Sequence, residues 1–299
     1  EPFAALNTAF SGDGLFLHVR ENVAVREPLH VLYLSLPGEQ EFTVHPRNLI
    51  VLEPNAQFKV FESYVAQQES VYFTNVLNEI VVGADSRLEW IKLQDESTSA
   101  YHISWTQVVQ ARNSYLSSVN LDFGSRLARN NLNVRLADEH CETHLWGVYL
   151  GDGAQLVDNH TFIDHAMPNC FSNELYKGIL AGRARGVFNG KILVRRGAQK
   201  TNALQSNKTL LLTNDCEIDA KPQLEIFADD VKCTHGATIG QLDEDAYFYL
   251  RARGLGAETA RALLRYAFLA DVLENVTLEQ LRERLDGLLF ERLKTMKEA

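Results

Sequence analysis

The chain has 299 residues, enough for one large or two smaller domains with a real core. It is 45% hydrophobic and 23% charged, which excludes a wholly disordered chain. Its formal charge of −10 repels phosphate backbones and argues against nucleic acid as a general partner.

The opening residues, EPFAALNTAF, have no basic start followed by an apolar run, so no secretory signal is read there. They also lack an initiator Met, and an upstream segment is expected to be missing. From residue 29 to residue 240 the pattern is mostly of period two, as in HVLYLSL, AQFKVFESY, VNLDF, LNVRL, THLWGVYL and QLEIF. Such runs predict short strands. WTQVVQARNSY lacks helical charge periodicity and is read as strand as well. Turn signals separate the runs at Pro37-Gly38, Pro54-Asn55, Gly83-Ala84-Asp85, Gly151-Asp152-Gly153, Arg196-Gly197 and Asn214-Asp215.

So many short strands point to a large sandwich or barrel, or to a β-solenoid in which each coil stacks on the last. Polar ladders such as VDNHTFIDH, and closely spaced small residues in KGILAGRARGVFNGKILV, suit tight coil corners and favour the solenoid. No sequence repeat is evident. A solenoid leaves sheet edges at its ends, which need caps or partners.

The pattern switches to helical at Asp243. DEDAYFYLRARG has an acidic start and a stop at Gly254. AETARALLRYAFLADVLENV places Ala260, Leu263, Leu264, Ala267, Phe268 and Val272 at helical spacing. TLEQLRERLDGLLFERLKTM opens with Thr277 and Gln280 in a capping-box pattern, then shows a stripe of Leu278, Leu281, Leu285, Leu288, Leu289 and Leu293. The expected layout is a β-domain over 1–242 and a small helical subdomain over 243–299. The simpler fate of its stripes is packing on each other and on the β part; a docked partner is the sharper alternative. No run spans a bilayer, since the best, ARALLRYAFLADVL, is broken by Arg261, Arg265 and Asp271.

The four cysteines, Cys141, Cys170, Cys216 and Cys233, include no CxxC pair, and reduced thiols in a cytoplasmic protein are the simpler expectation. The richest stretch is ADDVKCTHGATIGQLDED. Cys233 and His235 are two apart, so a strand puts both on one face with ~6.6 Å between Cα atoms. Thiolate and imidazole suit zinc or iron, but two ligands make an incomplete site. Only one of Asp229 and Asp230 shares that face. On spacing alone, a buried Cys beside a hydrogen-bonded His is the simpler reading. Cys141 and His144 fall on opposite faces of a strand, His160 and His165 differ in parity, Cys170 follows them in the same stretch, and Cys216 reads as a small packed residue in a turn. No Gly-rich phosphate loop, GxSxG or HExxH occurs.

The stretch from NELYKGILAGRARGVFNGKILVRRG through KPQLEIFADDVKCTHGATIGQLDEDAYFYLRARG resembles SufD, an iron–sulfur cluster assembly family whose members pair with SufB and the ATPase SufC. The resemblance is dense from Asn173 to Gly254. It implies a right-handed parallel β-helix with a small C-terminal helical subdomain, and a non-catalytic scaffold rather than an enzyme. SufB would pair through the β-helix, and SufC, an ABC-type ATPase, through the 243–299 helices. The cargo would be a nascent iron–sulfur cluster shared with SufB, with His235 as the favoured metal ligand and Cys233 beside it. ATP would enter only through SufC, and a flavin in the assembled complex is left open. Family members usually carry a further helical N-terminal region that this stretch of chain lacks. Alternatives are a homodimeric metal-binding β-helix protein and a β-helix enzyme acting on carbohydrate. A homodimer in isolation is compatible with the first reading.

Overall fold

The computed structural model describes residues 2–36 and 40–297. Helix α1 (Pro2–Phe10) opens the chain, ahead of the first of the strands. They are β1 (Phe16–Val19), β2 (Leu29–Ser35), β3 (Phe42–Val44), β4 (Arg47–Leu52), β5 (Gln57–Ala66), β6 (Tyr72–Val82), β7 (Arg87–Asp95), β8 (Tyr101–Gln110) and β9 (Tyr115–Asp122). Then come β10 (Leu127–Leu136), β11 (Glu142–Gly151), β12 (Leu156–His165), β13 (Phe171–Leu180), β14 (Arg185–Val194), β15 (Asn202–Leu211), β16 (Glu217–Ile226) and β17 (Lys232–Gly240). Three helices follow: α2 (Glu244–Ala252), α3 (Ala257–Leu273) and α4 (Glu279–Thr295).

Consecutive long strands alternate between two sheets and pair in parallel with the strand one coil away. One sheet runs β1-β4-β6-β8-β10-β12-β14-β16, with β3 also on β6; the other runs β17-β15-β13-β11-β9-β7-β5-β2. This is a parallel β-solenoid of about 8 turns, with 51% of the described residues in strands. The expected fold class therefore holds. The coil length varies from 26 residues (Tyr101 to Leu127) to 33 (Phe16 to Leu49).

Inward residues alternate with outward ones, as period two demands. Val60, Leu88, Leu116, Leu145, Ile163, Phe188 and Ile192 belong to one apolar cluster that runs along the interior. The coils turn at a repeated corner. Asn55, Asp85, Asn113, His140, Asn169 and Lys200 all have positive φ, and each lies two residues before a strand of the second sheet. Asn and Asp tolerate the left-handed conformation better than most residues. The residue after each is small and buried: Ala56, Ser86, Ser114, Cys141, Cys170 and Thr201. The sequence-level turns all fall at such breaks except Pro37-Gly38, which lies outside the described residues. WTQVVQARNSY is strand only through Gln110; a corner at Asn113 interrupts it before β9.

Helices α3 and α4 pack on each other and on the outer face of the second sheet, where Leu269, Val272, Leu285, Leu289 and Leu293 meet Val119, Leu121, Val148 and Ile179. Lys177 Nζ donates to Phe268 O and to Asp271, each at 2.7 Å, which ties β13 to α3. Two helical details differ from expectation. The buried face of α3 runs through Ala262, Arg265, Leu269 and Leu273 and leaves Leu263 exposed, because the guanidinium of Arg265 is drawn in to donate to Leu293 O and Met296 O at 2.8 Å. The Thr277–Gln280 capping box does not form. Leu278 is the N-cap of α4, and Thr277 Oγ1 instead donates to Glu89 and accepts from Lys59 Nζ at 2.7 Å. A partnership with the sheet has displaced a local cap. Asp243 does cap α2, accepting from the amides of Asp245 and Ala246.

Candidate functional site

Strand β17 is the terminal strand of its sheet. It pairs with β15 alone, and β16 likewise pairs with β14 alone, so both edges at this end of the solenoid are open among the described residues. The Lys232 amide donates to Thr201 O. In a parallel ladder alternate residues face opposite neighbours, so the N–H and C=O of Cys233, His235 and Ala237 point off the open edge. Both Cys233 and His235 lie on this strand, two apart, as the spacing predicts. Cys233 is half-buried and packs against the interior cluster, while His235 is exposed. Burial pushes the Cys233 thiol up, against a hydrogen bond from the Ala203 backbone that favours the thiolate.

The register places His235 at the end of an interior column that runs Ser118, Leu145, Glu174, Gln205, His235. Adjacent members are one strand spacing apart, ~4.8 Å. Gln205 Nε2 donates to Glu174 Oε2 at 2.7 Å. Burial pushes the Glu174 carboxyl up to about 7, against the hydrogen bond from Gln205 that favours its ionised form. Neither Glu174 nor Gln205 stood out in the sequence, since each sits about thirty residues from the next in the column.

The other sequence candidates are dispersed. Asp230 pairs with Lys200 at the coil corner, and Asp229 is exposed beside it. Cys141 is buried in the core, whereas His144 faces outward against Trp146, Phe171 and Glu142. His160 pairs with Asp158 at 2.8 Å. His165 is fully buried against Ser172 Oγ at 2.9 Å, and burial pulls its imidazole down to about 4. Cys141 and Cys170 occupy equivalent corner positions on successive coils, and Cys216 is packed and buried. Among the described residues no group of three or more His, Cys, Asp and Glu side chains converges on a metal-sized site. Cys233 and His235 stand as two donor side chains on one face of β17 with no third such group beside them among the described residues.

A second polar feature escaped the sequence reading. Lys92 is buried inside the first coils and donates to Asn130 Oδ1 at 2.7 Å and Ser104 Oγ at 3.1 Å, with His102 Nε2 at 3.0 Å. His102 in turn meets the buried Glu96 at 2.7 Å, and Thr74 and Gln94 donate to the same carboxylate. These groups are mutually satisfied and lock the register of their coils. Their signal was polar residues at inward positions of β7 and β8, visible only once the parity of each strand is known.

Beyond the solenoid end, α2 buries none of its residues; Phe248 is 73% exposed and Tyr249 is 55% exposed. No helix among the described residues is long and apolar enough to cross a membrane.

Residues 35–268 match the family profile described as SUF system FeS cluster assembly, SufBD core domain. The chain is 37% identical to an iron–sulfur cluster assembly SufBD family protein of a Synechocystis species, over 95% of this chain and 65% of that protein. It is 31% identical to the iron–sulfur cluster assembly protein SufD of Escherichia coli, over 98% of this chain and 70% of that protein. It is also 34% identical to the chloroplastic protein ABCI7 of Arabidopsis thaliana, over 94% of this chain and 61% of that protein. The chain thus spans roughly two thirds of the length of these relatives.

Proposed function

The chain belongs to the SufBD family of iron–sulfur cluster assembly proteins, and we propose that it acts there as a non-catalytic scaffold that pairs with SufB and docks the ATPase SufC. The observation that carries this reading is the exposed His235 on the open edge of the last coil. A ligand placed where the sheet is unpaired is a ligand placed where another chain adds its own strand and its own ligands. Soft thiolate and imidazole donors suit iron and sulfide, so Cys233 and His235 form this chain's share of the seat for the nascent cluster, which is cargo. Few ligands per chain favour loose holding and onward transfer.

The helical residues 243–299 supply the second interface. Helices α3 and α4 spend their apolar faces on the sheet, so SufC docking falls to α2 with its exposed Phe248 and Tyr249. ATP enters through SufC alone, and the cytoplasm is the compartment in which this proceeds. We assign no flavin-binding residue on this chain.

Co-purification tests both interfaces at once. Ala237→Pro removes an outward N–H while leaving the β15 ladder intact, and it should release SufB but retain SufC. Phe248→Ser with Tyr249→Ser should do the reverse. Retention of both partners by both variants would refute the assignment.

A further inference from the structure

The column beneath His235 is built in a way that plain packing does not require. Gln205 is 4% exposed and Glu174 is 1% exposed, so both side chains are interior. Gln205 gives its Nε2 to Glu174 Oε2 at 2.7 Å. Its Oε1 is buried without a hydrogen-bond partner. The amide reaches across the interior to Gly190 on the opposite wall, where an added Cβ would stand 2.4 Å from Gln205 Nε2. A side chain at 190 would have to displace the Gln205 amide or the Phe188 ring. Glu174 and His235 are the two register neighbours of Gln205.

A carboxyl oxygen that accepts from the amide claims its NH₂ end and leaves the carbonyl end for another donor. β17 is the last strand of the sheet, so the neighbour on the far side of Gln205 from Glu174 is the imidazole of His235. We propose that Glu174 and Gln205 are positioning residues for His235: Glu174 orients the Gln205 amide, and Gln205 Oε1, unpaired in this structure, is the acceptor for one ring N–H of His235 once the exposed ring turns in over it, leaving the other ring nitrogen bare to bind iron. The inference rests on the reading of His235 as a cluster ligand. Its logic is general. A ligating imidazole keeps its tautomer when its second nitrogen donates to a fixed oxygen, and loss of that oxygen costs about tenfold to a hundredfold in metal affinity.

The test uses the full chain labelled with nitrogen-15 histidine, with the two ring nitrogens of His235 read by NMR at neutral pH. The wild-type ring should hold one neutral tautomer. Gln205→Leu should relax it to the mixture of a free imidazole, with the overall fold intact by thermal melting. Gln205→Glu, which keeps an oxygen acceptor, should restore the single tautomer. Should Gln205→Leu not fold, Glu174→Gln takes its place, since a neutral amide no longer dictates which end of Gln205 faces outward. In the complex with SufB and SufC, Gln205→Leu should weaken ferrous iron binding by about tenfold or more. An identical tautomer ratio in wild type and Gln205→Leu would overturn the proposal. If that happens while His235→Ala still abolishes cluster formation, the ligand role stands and only the positioning role falls. If Gln205→Leu frees the ring but His235→Ala leaves cluster formation normal, the ligand role is what fails, and the positioning role falls with it.

Discussion

The side chains of this solenoid interior carry charges that titrate in separate ways. Burial raises the Glu174 carboxyl from 4.5 to about 7. Between these values the folded chain holds a proton that the unfolded chain has lost, so the contribution of Glu174 to stability is complete below pH 4.5 and lost as pH rises through about 7. Glu174→Gln removes this dependence. Its stability relative to wild type should therefore improve by about 3 kcal/mol between pH 4.5 and pH 8, measured by urea melts. A constant difference across that range would show that Glu174 is not buried as a titrating group. His165 has the opposite sign. Its imidazole is pulled down to about 4, so its contribution is present above 6.5 and is lost as pH falls toward 4. At this scale the sequence was legible where chemistry was local. Parity put Cys233 and His235 on one face, and they are on one face. Glu174 and Gln205 could not be read, because what joins them to His235 is coil stacking over separations of about thirty residues rather than spacing along a strand.

Among the elements, the corners do most to define the coil. The pattern of a left-handed residue followed by a small buried one recurs at Asn55-Ala56, Asp85-Ser86, Asn113-Ser114, His140-Cys141, Asn169-Cys170 and Lys200-Thr201. It is a genuine internal repeat, hidden because its members share conformation rather than identity and because coil length varies. It also explains Cys141 and Cys170 as small corner fillers. Asn169→Ala should cost about 1–2 kcal/mol in denaturant unfolding, since alanine tolerates φ near 61° poorly, and Asn169→Gly should recover most of that loss. Equal stability of the alanine and glycine variants would contradict the corner argument. The helices illustrate the opposite lesson. Leu285, Leu289 and Leu293 were legible as a buried stripe. The start of α4 was not, because Thr277 has a better offer from Lys59 and Glu89 on the sheet than from its own helix. Local capping signals lose to charged partners that only tertiary structure supplies.

At the scale of the whole molecule, period-two patterning left a sandwich or barrel beside a solenoid and favoured the solenoid, the family resemblance implied a parallel β-helix, and two parallel sheets winding around one interior bear it out. What patterning could not supply was the difference between the two ends of the solenoid. The last coil presents two strands that each leave one edge open among the described residues, an exposed imidazole and, just beyond, a helix with exposed aromatic residues. These features belong together if the chain is one part of a larger assembly. The most direct test is co-expression with SufB and SufC, followed by iron and acid-labile sulfide analysis of the purified complex carrying either wild-type chain or His235→Ala. The account predicts that the variant complex assembles in normal amounts but loses most of its iron and sulfide. Unchanged iron and sulfide in an intact His235→Ala complex would contradict it.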